Sequence, residues 1–423
     1  MWNSGTHAIS CLERPVGQVP IGATLLVLAA GCGIDNAPPP SAEVRDSAGI
    51  TLVENRGEIP SRGGGWSLSS EPTVAIGSLD GPEGEQLYRV RGALRLPDGR
   101  IVAANDGTKD LRVFASDGSH VASIGREGEG PGEFSSIRLL GLLGDALVLL
   151  DRRLRRVSLI HPDEGFVRSF PLPDGVAPYP MDGWLFDTGS VLIQDLPLTE
   201  EGAHEEGFNR TPVAYASCDL SGAVLTDFGR LPGAERVNIT RETEHGLATL
   251  LSSVPFGRDP RVAVSGDLLF FGAQDAYEVT VYRSDGSVSR MVRLDREPVP
   301  VTDADLAAFI EEDLRDYQDE NEARERRQEL EAMPRMAVRP PHGAIFADRS
   351  GSLFVAEYRM PGDTTVGMNV FDPTGRLTGR FSMPADLEVL DLGDDYLLGL
   401  LEDDLGVETL RLYGLSRTSS GSR

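Results

Sequence analysis

Lysine is all but missing from this chain of 423 residues: Lys109 is the only one, so nearly all of its positive charge is arginine. Forty basic side chains stand against 66 acidic ones, a net charge of −26, which argues against binding to nucleic acid or to an anionic membrane surface. Cysteine is scarce as well, at Cys11, Cys32 and Cys218. The six histidines (His7, His120, His161, His204, His245 and His342) have no metal-ligand spacing. There is no G-x-S-x-G elbow, and Cys218 has no histidine nearby in sequence, so no nucleophilic catalyst is recognisable. Carboxylates are so abundant that no single pair for glycoside chemistry stands out. Long hydrophobic runs are missing too: the segment from Val19 to Ala30 is too short to span a bilayer as a helix.

That short run has another reading. Arg14 precedes it, and Leu28-Ala29-Ala30-Gly31-Cys32 closes it with small residues before a cysteine, which resembles a bacterial lipobox. Residues 1–31 are expected to be a lipoprotein signal peptide, with Cys32 the lipidated new N-terminus and residues 32–43, including Pro38, Pro39 and Pro40, a tether. Gly33 in place of Asp favours the outer membrane. With Cys32 acylated, Cys218 has no partner for an intramolecular disulfide and is expected to lie buried in a strand.

Beyond the tether the chain repeats one pattern: a Gly or Asp turn, an apolar strand closed by a polar residue, a second strand, a Gly turn and a third strand. LPDGRIVAAN begins one copy and DRSGSLFVAE another. Taken at the closing polar residue (Asn105, Asp151, Gln194, Gln274, Glu357, Glu402), the spacings are 46, 43, 80, 83 and 45. The short values match four short strands with their turns, and the long ones contain insertions at Leu231 to Pro260 and Thr302 to Met333. The fold class expected is all-β: a six-bladed β-propeller of four-stranded antiparallel blades over residues 44–417, with a disordered tail at 418–423. The sixth copy lacks its last strand, and Pro72 to Gly77 is expected to supply it from the N-terminal side. Ile50 to Gly57 would extend the same blade. Thr302 to Met333 is expected to be one inserted acidic α-helix, capped by Thr302 and ended by Pro334. It would lie on the outside of the propeller, or serve as a lid or docking helix.

IGREGEGPGEF, Ile124 to Phe134, is the most distinctive stretch, and its glycines and Pro131 make it an ordered loop between two sheet units. Together with RDSAGITLVEN, LPDGRIVAAN and DDLGVETLRLYGL, it resembles bacterial six-bladed β-propeller lipoproteins, relatives of NHL-repeat proteins. The resemblance implies a fold and carries no shared chemistry.

In such a fold the blade-joining loops and the closing polar residues share one face. Candidate ligand-binding residues are therefore Asn105, Asp151, Gln274, Glu357 and Glu402, with Asp195 beside Gln194, and Arg126 and Glu133 on the distinctive loop. Such a ring of carboxylates and amides could grip a polar ligand. The recurrence is equally explained if each residue caps a tight turn through backbone N–H groups. No cofactor is expected; calcium in the central channel would be the exception. Propellers of the gluconolactonase type hold a central divalent metal with Glu, Asn and Asp, and Asn105, Asp151 and Glu357 supply those residue types. The function expected is a binding or scaffolding module for a protein, peptide or glycan of the cell envelope, facing the periplasm or the surface. The chain would be a monomer, touch the membrane only through its lipid anchor, and bind no nucleic acid. A metal-dependent lactonase and a purely structural envelope protein are the alternatives.

Overall fold

The computed structural model describes residues 42–57, 65–173, 177–196, 207–243, 246–315 and 317–417. Cys32, the signal segment and the tail after residue 417 lie outside the described residues.

The chain is mostly β. Alternating apolar strands joined by tight Gly and Asp turns fold into a series of antiparallel meanders, an arrangement of β-propeller type. Sheet I comprises Val90–Arg95, Ile101–Asn105, Asp110–Phe114 and His120–Ile124. Sheet II comprises Arg138–Leu143, Ala146–Asp151, Arg156–His161 and Gly165–Pro171, and sheet III Pro180–Leu185, Val191–Asp195, Val213–Cys218 and Val224–Leu231. Sheet IV follows with Arg261–Ser265, Leu268–Gly272, Glu278–Arg283 and Val288–Leu294, then sheet V with Ile345–Ala347, Leu353–Ala356, Thr365–Phe371 and Leu377–Pro384. Sheet VI has Glu388–Leu392, Tyr396–Glu402 and Glu408–Arg417.

Sheet VI takes its fourth strand from the N-terminal side, as its missing last strand implied. Val74–Ile76 pairs antiparallel with it, Ile76 opposite Leu410 and Val74 opposite Leu412, while Trp66–Leu68 pairs with its far end. Ring-shaped contact between first strands links I to II, II to III and so on, and VI back to I. The core is divided accordingly. Leu147 and Leu149 of sheet II, with Phe134 and Ile137 of the segment leading into it, meet Leu94, Val102, Leu111 and Val113 of sheet I, and Tyr396, Leu398 and Leu410 of sheet VI meet Ile101, Ala103 and Phe114. Each sheet is thus apolar on both faces, which explains strands such as Ile101–Asn105 with no exposed position.

Three expectations need correction. Ile50–Asn55 does not extend sheet VI; it forms a hairpin with Ala42–Ser47 and runs parallel to the fourth strand of sheet IV. The reason is Asn55, 1% exposed, whose Nδ2 donates to the carbonyls of Arg293 and Gly375, each at 3.0 Å, while its Oδ1 accepts from Leu377 N at 2.8 Å. One buried amide therefore ties the hairpin to sheets IV and V together. The insertion between Leu231 and Pro260 is not a plain loop: Arg236–Thr243 and Gly246–Ser253 pair as a hairpin, joined by Gly207–Asn209.

The acidic insertion is two helices, α1 (Asp303–Asp313) and α2 (Glu320–Ala332), rather than one. Thr302 and Asp305 form a reciprocal capping box at the first, and Asp319 accepts from Asn321 N and Glu322 N to begin the second. This second cap is the signal that a new helix starts. Antiparallel packing buries Ile310, Leu330 and Met333 between them, and Arg326 reaches back to Asp313 at 2.9 Å.

Candidate functional site

The polar residues that close the second strands are absorbed by the fold in a repeated way. Asn105 Oδ1 accepts from Tyr88 N at 2.7 Å, Asp195 Oδ1 from Tyr179 N at 2.7 Å, and Gln274 Oε1 from Asp259 N at 2.7 Å. Each acceptor therefore fixes the chain just before the first strand of its own sheet. Asp151 does more: its Oδ2 accepts from Ser135 N at 2.8 Å, and its Oδ1 takes Ser136 N, Ser136 Oγ, Arg153 N and Leu154 N. Asn105, Asp151 and Gln274 are buried. Gln274 sits at φ +63°, held there by a second bond from Nε2 to the His342 carbonyl at 2.6 Å.

Glu357 at the same phase is used otherwise. Arg296 clamps both its oxygens, with one contact at 2.7 Å, and Asn369 Nδ2 donates to it at 2.8 Å. Burial acts to raise this carboxyl, but Arg296 and Asn369 outweigh it and hold the carboxyl below its ordinary range. Only Glu402 is exposed and without a hydrogen bond or ion pair of its own among the described residues. Asn105, Asp151 and Glu357 thus serve separate partners. Among the described residues, no three His, Cys, Asp or Glu side chains converge where a metal ion could be held.

The distinctive loop is locked from within. Arg126 Nε and Nη2 both donate to Glu133 Oε1, at 2.9 and 2.6 Å, and Glu133 Oε2 accepts from Gly130 N at 2.9 Å. Phe134 is buried in the core between sheets I and II. Its ring lies so close to Gly125, at φ +98°, that a Cβ there would come within 2.6 Å. Arg156 finishes the clamp by donating to the carbonyls of Glu129 and Gly130.

A wide open space lies elsewhere, where the starts of all six first strands converge. A cavity of about 1620 Å³ is lined by Val90, Arg138, Asp182, Arg261, Ile345 and Glu388 from those strands and by Glu402. Because the sheets are meanders, the joins between sheets and the turns after second strands emerge at this same end. Here stand the α1–α2 pair and the Arg236–Ser253 hairpin. Phe309 and Glu312 of α1 form part of the cavity wall. Phe309 packs against Phe256 with ring centroids 5.5 Å apart, and Glu312 accepts from Arg359 at 2.5 Å and Gly362 N at 2.9 Å. The helices therefore flank the mouth of the channel.

Eleven aspartates and glutamates but only five arginines line the cavity. Four of the arginines are paired: Arg138 with Asp182, Arg261 with Asp259 at 3.1 Å, Arg315 with Glu312 at 4.0 Å, and Arg359 with Glu312 and Asp386. Burial raises the Asp182 carboxyl, and Arg138 draws it only part of the way back. Sequence reasoning reached Gln194, Glu357 and Glu402, which line this cavity, but missed Asp182 and Glu388, because these come from first strands far apart in the chain. In sheet VI Glu402 lies directly opposite Glu408, two like charges where a neutralising pair would be favoured.

No known family model matches the chain, and no curated protein does. Solved structures do. A member of the DUF4221 family from Bacteroides vulgatus is 10% identical with a TM-score of 0.49, covering 85% of this chain and all of that one. Virginiamycin B lyase from Staphylococcus aureus is 11% identical with a TM-score of 0.39, covering 89% of this chain and 98% of that one. Regucalcin from Agrobacterium tumefaciens, a calcium-binding protein, is 12% identical with a TM-score of 0.37, covering 84% and 98%. These likenesses decide nothing about activity. Among the described residues no helix is long and apolar enough to cross a membrane.

Proposed function

We propose that the chain is an envelope lipoprotein, tethered through Cys32 to the outer membrane, and that it binds a protein, peptide or glycan at the channel mouth. In this reading sheets I to VI are the blades of a closed six-bladed propeller of the NHL-repeat kind, with Val74–Ile76 completing the last. The cycle of contacts between first strands and the shared core of sheets VI and I support closure.

The observation that carries the binding role is the cavity itself. Its volume of about 1620 Å³ exceeds the roughly 300–1,000 Å³ of ordinary small-molecule pockets, and suits an extended segment better than a metabolite. The side chains best suited to chelation are already tied to backbone groups or to arginine, so the open charges at the mouth are left for a partner.

Affinity capture from envelope extract tests this. Tyr88, just before the first strand of sheet I, and Leu405, on the turn after the second strand of sheet VI, stand exposed at this end, and the full chain should retain a component that a Tyr88→Ala/Leu405→Ala variant loses. Equal capture by both, or capture by neither, refutes the mouth as the binding site.

A further inference from the structure

We propose that the channel mouth takes a cationic segment of a partner protein, whose arginine or lysine side chains enter the cavity while apolar neighbours rest on Tyr88, Tyr179 and Leu405. This names the partner for the binding role above and rests on it.

The rim is the first ground. Tyr88 and Tyr179 hold equivalent places, each donating its backbone N–H to the residue that closes the second strand of its sheet. Yet the two tyrosines are 55% and 42% exposed, and Leu405, on the turn after the second strand of sheet VI, is 82% exposed. Tyr88 is a rigid platform: Gly107 lies against its ring, where a Cβ would meet it at 2.3 Å, and Arg89 stacks 5.2 Å from its centroid. Apolar side chains held open on one face around a cavity mark a docking surface.

Charge selects the occupant. Eleven acids and five arginines line the cavity, and Arg296 and Arg326 from outside the lining pair with Glu357 and Asp313, which leaves four negative charges in excess. Glu388, Glu402 and Asp404 line it, and none has an ion pair or a side-chain hydrogen bond among the described residues. Glu388 and Glu402 also bear on the buried Glu408. Burial raises that carboxyl first, Val90 N and Arg91 oppose, and the two neighbouring glutamates push it further up. The mouth thus holds uncompensated like charges between low-dielectric walls, which focus the field outward. The acids do not converge on a point, so spaced cations on a chain match them better than a single metal ion. A neutral glycan would leave the repulsion in place.

Anisotropy titrations of the full chain test the assignment, using short labelled peptides of matched apolar content that are arginine-rich, glutamine-substituted or glutamate-substituted, together with a neutral oligosaccharide. The arginine-rich peptide should bind at least about tenfold tighter than the neutral one, and should weaken as salt rises from about 50 to about 300 mM. Glu388→Gln/Glu402→Gln should lose about five- to tenfold for that peptide alone. Because this variant removes repulsion at Glu408, it should unfold no earlier than the wild type, so weakened binding cannot be put down to misfolding. Equal or tighter binding of the neutral or acidic peptide or the saccharide, weakened by Tyr88→Ala, overturns the cationic preference and leaves the mouth as the binding site. Binding of none of the probes overturns this inference, and failed envelope capture as well overturns the binding role itself.

Discussion

Removing the Asp151 carboxylate should be among the most damaging single changes in the chain. It is 1% exposed and accepts four backbone N–H bonds and one hydroxyl bond. Each hydrogen bond to a charged acceptor contributes about 1.5–3 kcal/mol, and each donor left buried without a partner costs about 1–3 kcal/mol. These terms do not add fully, since Ser136 Oγ can turn and water can enter, so Asp151→Ala should cost about 3–5 kcal/mol. That is a large share of the roughly 5–15 kcal/mol that stabilises a domain. Asp151→Asn separates the parts. Four of the five bonds end on Oδ1, so an amide with its oxygen there keeps them and loses only Ser135 N, at a cost of about 1–2 kcal/mol. Denaturant midpoints at constant slope measure both. A cost below about 1 kcal/mol for the alanine variant would refute the capping role and return Asp151 to the ligand-binding candidates.

Other outcomes follow from single buried or exposed groups. His342 is fully buried, with Nδ1 donating to Gly343 O at 2.8 Å and Nε2 without a partner, and burial pushes its pKa down to about 4. Its folded value lies below the unfolded one of about 6.5, so stability is full above that value and falls as pH drops towards 4. The total is on the order of 3 kcal/mol, and His342→Gln should flatten the part of the slope between pH 5 and 6.5 in denaturant titrations. Asn55→Ala should cost about 2–4 kcal/mol by stranding Leu377 N and two carbonyls, and should expose the Ala42–Asn55 hairpin to limited proteolysis; an unchanged cleavage pattern would contradict this. Arg126→Ala should change stability by less than about 1 kcal/mol, because the arginine side chain is 79% exposed. Cys32→Ser should move the protein from the membrane to the soluble fraction, and retention in the membrane fraction would remove the lipid anchor from the account.

The repeat was legible because each sheet reuses the same short instructions: a Gly or Asp turn, an apolar strand, a closing polar residue. Those signals are local, and Asn105, Asp151 and Gln274 fell at one phase because each caps the entry to its own sheet. The missing strand of sheet VI pointed to Val74–Ile76 for the same reason. What escaped was set by contacts distant in sequence. Asn55 reaches across to Gly375 and Leu377, and nothing within Ile50–Asn55 says which edge it will join. The charged second half of the acidic insertion masked the Asp319 cap, so two helices looked like one. The mouth of the channel was only partly legible: Gln194, Glu357 and Glu402 stood among the closing polar residues, whereas Asp182 and Glu388 come to line it only when the first strands converge.

A ligand at the channel mouth must lie beside residues 88 and 405. A photo-crosslinking side chain placed at position 88 or 405 of the full chain, with a third at position 167 on the fourth strand of sheet II, locates it directly. Crosslinking of the captured partner from 88 and 405 but not from 167 is the predicted result. Crosslinking from 167 alone would move binding to the outer edge of the sheets and contradict it.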